Sequence, residues 1–164
     1  MDLARGHLTR DPEILRVQTA PTTSKQLRVN SDDLARAKIL ADGLYEAVSD
    51  CKAIFVEVPV GSQSARAMAS YGICVGVLGS LLSRGLPLIE VTPTEVKIAM
   101  TGNKNASKEA MIAAARDLYP KAPWPMKSGQ VVASSAEHMA DAIGAIHAGV
   151  NTPAFTQIRR ILGY

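Results

Sequence analysis

The stretch KAIFVEVPVGSQSARAMASY, residues 52–71, decides the fold. Its first half is nearly continuous apolar, with Ile54, Phe55, Val56 and Val58, and reads as an interior strand covered on both faces. Pro59 and Gly61 end that strand, and Ser62 to Leu82 reads as a helix. Glu57 interrupts the apolar run with a charge. Side chains alternate along a strand, so Glu57 shares a face with Phe55. A carboxylate among apolar neighbours is costly unless a cation, a proton or a hydrogen-bond donor meets it. The partner of Glu57 is therefore the question the rest of the chain must answer.

Upstream, His7 to Ala20 reads as extended, broken at Asp11-Pro12, with Ile14, Val17 and Thr19 supporting a short strand. Pro21 to Lys25 reads as a turn. Asn30 is placed to cap a helix with the apolar stripe Leu34, Ala37, Ala41, Leu44 and Val48, and Asp32 and Asp33 suit its positive end. Downstream, Ala65, Ala69, Gly72, Gly76 and Ser80 recur at one-turn spacing, which suits close backbone approach to the sheet or to a second subunit.

Leu86 to Val91 reads as a further strand. Thr92-Pro93-Thr94-Glu95 combines a capping box with proline at the first helical position, and Gly102 supplies the stop. Ser107 begins another helix, with Met111, Ile112, Ala115 and Leu118 as its apolar side and Pro120 at its end. Pro120 to Ser135 reads as a loop around Trp124. A helix from Ala136 to Gly149 follows, with Met139, Ile143 and Ile146 in its stripe, and Thr152-Pro153 starts a short tail helix. Strands joined through helices imply an α/β layered sheet. Residues 1–164 read as one domain, with 150–164 as its tail.

With 47% apolar and 20% charged residues the chain is globular rather than disordered, and the 4% aromatic share leaves the core to small and aliphatic side chains. A net charge of +3 permits an anionic partner without requiring one. Cys51 and Cys74 lack metal spacing and read as reduced thiols. No apolar run reads as the roughly 20 residues a membrane span needs, and no signal peptide is visible. These features place the protein in a cytosol, with no membrane partner.

Glu137, His138 and Asp141 cluster on the late helix. Residues 138 and 141 are neighbours on one helical face, as are 137 and 141. That face lies away from the apolar stripe, so it is either a solvated polar side or half of a site. Joined to Glu57, an imidazole and a carboxylate one turn apart are the donors of an oxygen-rich divalent site.

Three segments, VEVPVGSQSARAMASYGICVGVLGSLL (56–82), PLIEVTPTEVKIAMTGNKNASKEAMIAAA (87–115) and AEHMADAIGAIHAG (136–149), resemble in order and spacing the RuvC-like Holliday-junction resolvases of the ribonuclease H-like superfamily, particularly phage-type members. The resemblance covers residues 52–149. It implies a ribonuclease H-like mixed sheet flanked by helices. It also implies an endonuclease that resolves four-way DNA junctions with two Mg²⁺ or Mn²⁺ ions, as a homodimer through the Ser62–Leu82 helix, in a bacterial or phage-infected cell. Glu57 matches the family's strand glutamate, Asp141 its last acidic residue, and His138 a position held by aspartate or histidine, which makes these three the implied catalytic metal ligands. Glu137 stands behind them as a reserve.

The family also opens with a strand of the form apolar-Gly-apolar-Asp, which this sequence does not show. Asp2 lacks the preceding apolar run. The resemblance therefore implies that N-terminal strands are missing or truncated, and leaves as the alternative a non-catalytic branched-DNA-binding or assembly protein. For nucleic acid, Lys97, Lys104 and Lys108 surround the Gly102-Asn103 turn and a helix start, where charge and free N–H groups can meet phosphates. Gln63 and Arg66 sit near the start of the glycine-rich helix and can face a DNA strand. Lys121 and Lys127 flank Trp124, which either stacks on a base or packs its loop down. His7 and His147 read as structural.

Overall fold

The computed structural model describes residues 12–13, 19, 28–58, 61, 63–161 and 163. The strand and turn read between His7 and Lys25 fall outside these residues apart from single positions, and so do Asp2 and His7. In chain order come α1 (Val29–Val48), β1 (Ile54–Glu57), α2 (Ala65–Ser83), β2 (Leu88–Val91), α3 (Pro93–Thr101), α4 (Lys108–Leu118), β3 (Met126–Lys127), β4 (Gln130–Val131), α5 (Ala133–Gly149) and α6 (Pro153–Ile161). Strands β1 and β2 are hydrogen-bonded neighbours, and β3 and β4 pair antiparallel in a separate small sheet. The α/β class follows the expectation. The chain divides into two compact units, one holding Phe55–Glu57 and Ile89–Tyr164, the other Leu15–Ile54 and Val58–Leu88.

The first unit is organised on α5. Ala136, Met139, Ala140, Ile143, Ala145 and Ala148 are buried in one apolar cluster with Val91, Val96, Met100, Met111, Ile112 and Ala115. Close approach explains the glycines. A Cβ at Gly144 would stand 2.7 Å from Val96 Cγ1 and 2.9 Å from Met100 Cγ, so α3 lies against bare α5 backbone there. A Cβ at Gly149 would run into the Phe55 ring, which also meets Phe155 edge-on with centroids 5.1 Å apart. Phe55 thereby pins β1 to the end of α5, and Glu57, two residues on, shares its face.

Local signals set the ends of α3 and α4. Thr92 and Glu95 form the expected capping box, Thr92 N–H donating to the Glu95 carboxylate at 2.7 Å and Glu95 N–H to Thr92 Oγ1 at 3.2 Å. Gly102 closes α3 in the left-handed region at φ 71°. Ser107 caps α4 by accepting from Ala110 N–H.

Five features differ from the sequence reading. Asn30 is not the cap of α1, because the Arg28 carbonyl already accepts from the N–H groups of Ser31 and Asp32, so the helix begins earlier. Strand β2 begins at Leu88 rather than Leu86. Helix α2 begins at Ala65, capped by Ser64, and the Ser62 of the expected start lies outside the described residues. The segment read as a loop from Pro120 to Ser135 holds the β3–β4 hairpin, turned by Ser128 and Gly129 at φ 50° and 76°. Helix α5 accordingly starts at Ala133, where the Val132 carbonyl takes up the first free N–H groups. Two-residue strands are too short to show alternation in a sequence.

The second unit pairs α1 with α2. Asp33 at the start of α1 meets Arg66 at the start of α2, at 2.6 and 2.7 Å, while Tyr45 near the end of α1 donates to Ser80 near the end of α2 at 2.5 Å. Contacts that match start to start and end to end make the two helices parallel. Arg84 stacks over the Tyr45 ring at 3.8 Å. Helix α2 carries exposed Met68, Val75 and Leu82, and by length and composition it is apolar enough to cross a membrane. That corrects the reading that no such run exists: Ile73, Val75, Val77, Leu78, Leu81 and Leu82 keep the mean hydropathy high despite the interspersed glycines and serines, and Arg66 is its only charged residue.

Candidate functional site

A cleft in the first unit is lined by Glu57, Pro93, Val96, Lys97, Ala106, Lys108, Met111, Glu137 and Asp141. Its polar members come from four elements. Glu57 ends β1 behind the Phe55 anchor, Lys97 rides on the capped α3, and Lys108 is the first residue of α4 after its serine cap. Glu137 and Asp141 are one turn apart on α5. Val96 and Met111, both buried, give the cleft an apolar floor.

Electrostatics single out two carboxyls. Burial pushes the Glu57 carboxyl up from its ordinary value, repulsion from Asp141 adds to that, and Lys97 partly offsets it. Burial likewise raises Asp141, with Glu137 adding repulsion and His138, Lys108 and Lys97 opposing. Both acids are thus short of positive charge even with two lysines at the rim. Glu137 is better supplied: Lys108 Nζ lies 2.7 Å from its Oε1 and 2.9 Å from its Oε2.

Of the residues expected from sequence, the structure brings Glu57, Asp141, Lys97 and Lys108 into one cleft. His138 is exposed and does not line it, although its charge reaches Asp141. Lys104 is exposed in the turn after α3 and lies outside the lining. Gln63 and Arg66 belong to the second unit, where Gln63 is exposed and Arg66 is paired with Asp33. Trp124 is buried and donates to the Tyr119 carbonyl at 2.9 Å, the packing alternative rather than a free stacking platform. His147 meets the Tyr119 hydroxyl at 2.7 Å. Cys51 and Cys74 are free, exposed thiols.

The bond between Glu137, a reserve candidate in the sequence, and Lys108 joins residues 29 positions apart and leaves no periodic signal. The signal within reach was the 137–141 pair of like charges one turn apart, an arrangement that needs nearby cations. Two half-buried carboxylates that lack positive charge fit a hard, oxygen-seeking cation. Among the described residues no group of three or more ligating side chains is gathered, so the donor set in view is partial.

No protein-family model matches the chain. It is 33% identical over 104 residues to the crossover junction endodeoxyribonuclease RuvC of Anaeromyxobacter dehalogenans strain 2CP-1, covering 62% of this chain and 56% of that one. To the RuvC of Salinibacter ruber it is 33% identical over 87 residues, 51% of this chain and 49% of the other. The RuvC of Christiangramia forsetii is 32% identical over 87 residues, 51% and 45% of the two chains. The chain thus spans about half the length of the curated relatives it matches. The solved structure of RuvC from Thermus thermophilus superposes with a TM-score of 0.52 at 19% identity, covering 86% of this chain and 75% of that one. In its matched segments the chain is similar to RuvC proteins, and it shares the ribonuclease H-like fold of the Thermus thermophilus RuvC.

Proposed function

We propose that the protein is a structure-selective endodeoxyribonuclease that acts on four-way DNA junctions, with Glu57 and Asp141 at the reacting centre. The observation that carries this is the cleft itself: two carboxylates raised by burial, rimmed by lysines, in a chain whose relatives are named crossover junction endodeoxyribonucleases. The proposal takes residues 1–164 as one RuvC-type domain with 150–164 as its tail, working in a cytosol.

Glu57 and Asp141 would hold Mg²⁺ or Mn²⁺, with His138 as the further ligand. When bound, two such ions supply charge that activates a water and steadies a leaving oxygen in phosphodiester hydrolysis. The chain's own residues do the rest. Val96 and Met111 keep bulk water from one side of the carboxylates, and Lys97 and Lys108 meet the flanking phosphates. Lys104, Gln63 and Arg66 are separate candidates for phosphate contact, each exposed on its own unit. A homodimer through α2, whose Met68, Val75 and Leu82 are exposed, sets two sites against a two-fold symmetric junction.

A second reading is a branched-DNA-binding or assembly protein that does not cut. It is favoured by the absence of a three-ligand cluster among the described residues. Labelled four-way junctions incubated with Mg²⁺ or Mn²⁺ separate the two: symmetric cleavage supports the nuclease, and tight binding without cutting supports the second reading. Neither binding nor cutting at low salt, where phosphate contacts are strongest, overturns both.

A further inference from the structure

Lys108 and Glu137, both lining the cleft, form an ion pair. It joins the first residue of α4 to the first turns of α5, and the ammonium touches both carboxylate oxygens, at 2.7 and 2.9 Å. Its two ends differ in setting. The Glu137 side chain is 23% exposed and anchored in the cleft wall, whereas that of Lys108 is 70% exposed. The lysine is thus free to swing on its long stem while the glutamate stays where it is. Closed, the pair holds the ammonium beside Asp141, which feels its charge, in a cleft shared with Glu57.

An incoming phosphodiester competes for that ammonium. A phosphate oxygen at Lys108 competes with the carboxylate for the ammonium's charge and donors, and Glu137 faces any phosphate held there with its own charge. We infer that Glu137 is a positioning residue that clasps Lys108 inside the cleft and withholds it from the DNA backbone until the pair opens. The inference rests on the DNA-directed reading of the cleft. It adds that one lysine of this cleft is conditionally available, and that an acid on α5 sets the condition.

The clasp is tested by DNA binding in EDTA, where no cleavage intervenes, using wild type, Glu137→Gln, Lys108→Gln, the double variant, and Asp117→Asn as a control of equal charge change on the exposed far end of α4. Glu137→Gln should tighten binding to a four-way junction by roughly two- to fivefold, the span of a part-exposed ion pair. It should also steepen the salt dependence by about one counterion, because one more lysine reaches phosphate. Both changes should vanish in the double variant, and Glu137→Asp should restore wild-type behaviour. An equal gain in the Lys108→Gln background, or an equal gain from Asp117→Asn, overturns the clasp in favour of general charge repulsion, and weaker binding by Glu137→Gln overturns it outright. If wild type binds no DNA at low salt, the proposed function falls and the clasp falls with it. Binding by wild type without coupling between the two positions removes the clasp alone.

Discussion

Asp141 raises the proton affinity of Glu57 within the cleft that both line, and burial acts on both carboxyls in the same direction. In metal-free buffer, then, each is more readily protonated in the folded protein than in the unfolded chain. Between the unfolded values, about 4, and the raised folded values the native state binds more protons, so stability is greatest at low pH and falls as pH rises through that window. Glu57→Gln and Asp141→Asn should therefore stabilise the protein at pH 7, by up to about 1 kcal/mol once screening by water is allowed for. Thermal melts in EDTA should show a rise of roughly 2–4 °C at pH 7 and little or none at pH 4. Equal gains at both pH values would mean that the carboxylates are not strained by charge.

The bare backbone at Gly144 tests the packing that brings α3 and its Lys97 to the cleft. Alanine is the better helix former by roughly 0.5–1 kcal/mol, yet its Cβ would meet the branched, fully buried Val96 at 2.7 Å. Overpacking of that kind costs about 1–3 kcal/mol, so the loss outweighs the propensity. Gly144→Ala should lower the melting temperature, and a neutral or raised value would show that α3 can retreat.

The capping box at the start of α3 predicts a pH-dependent contribution of the opposite sign. Hydrogen bonds from Thr92 hold the Glu95 carboxyl below its usual range. Its stabilising effect is present above the unfolded value and is lost as pH falls through the lower folded value. Thr92→Ala should cost about 1 kcal/mol at pH 7. The difference from wild type should shrink in melts carried out near pH 3.

The sequence shows some of these elements far better than others. Thr92, Glu95, Gly102 and Ser107 act within a few residues of themselves, so the ends of α3 and α4 could be read directly. The face formed by Glu137, His138 and Asp141 was legible as a face. What it looked at was not, because α4 and β1 supply the other side of the cleft. Lys108 clasps Glu137 across 29 positions, and Phe55 fits against Gly149 across a larger gap. Contacts of that reach leave no periodic trace. The β3–β4 hairpin escaped for a different reason, its strands being too short for alternation.

In the proposed function the Glu57–Asp141 cleft cuts branched DNA. Single-turnover cleavage of a labelled four-way junction in Mn²⁺, by wild type and by Glu57→Gln at matched DNA occupancy, tests it most directly. Wild type should cut symmetrically, and Glu57→Gln should lose at least about 100-fold, a drop of roughly 2.7 kcal/mol or more in transition-state stabilisation, with junction binding retained. Undiminished cutting by Glu57→Gln would contradict it.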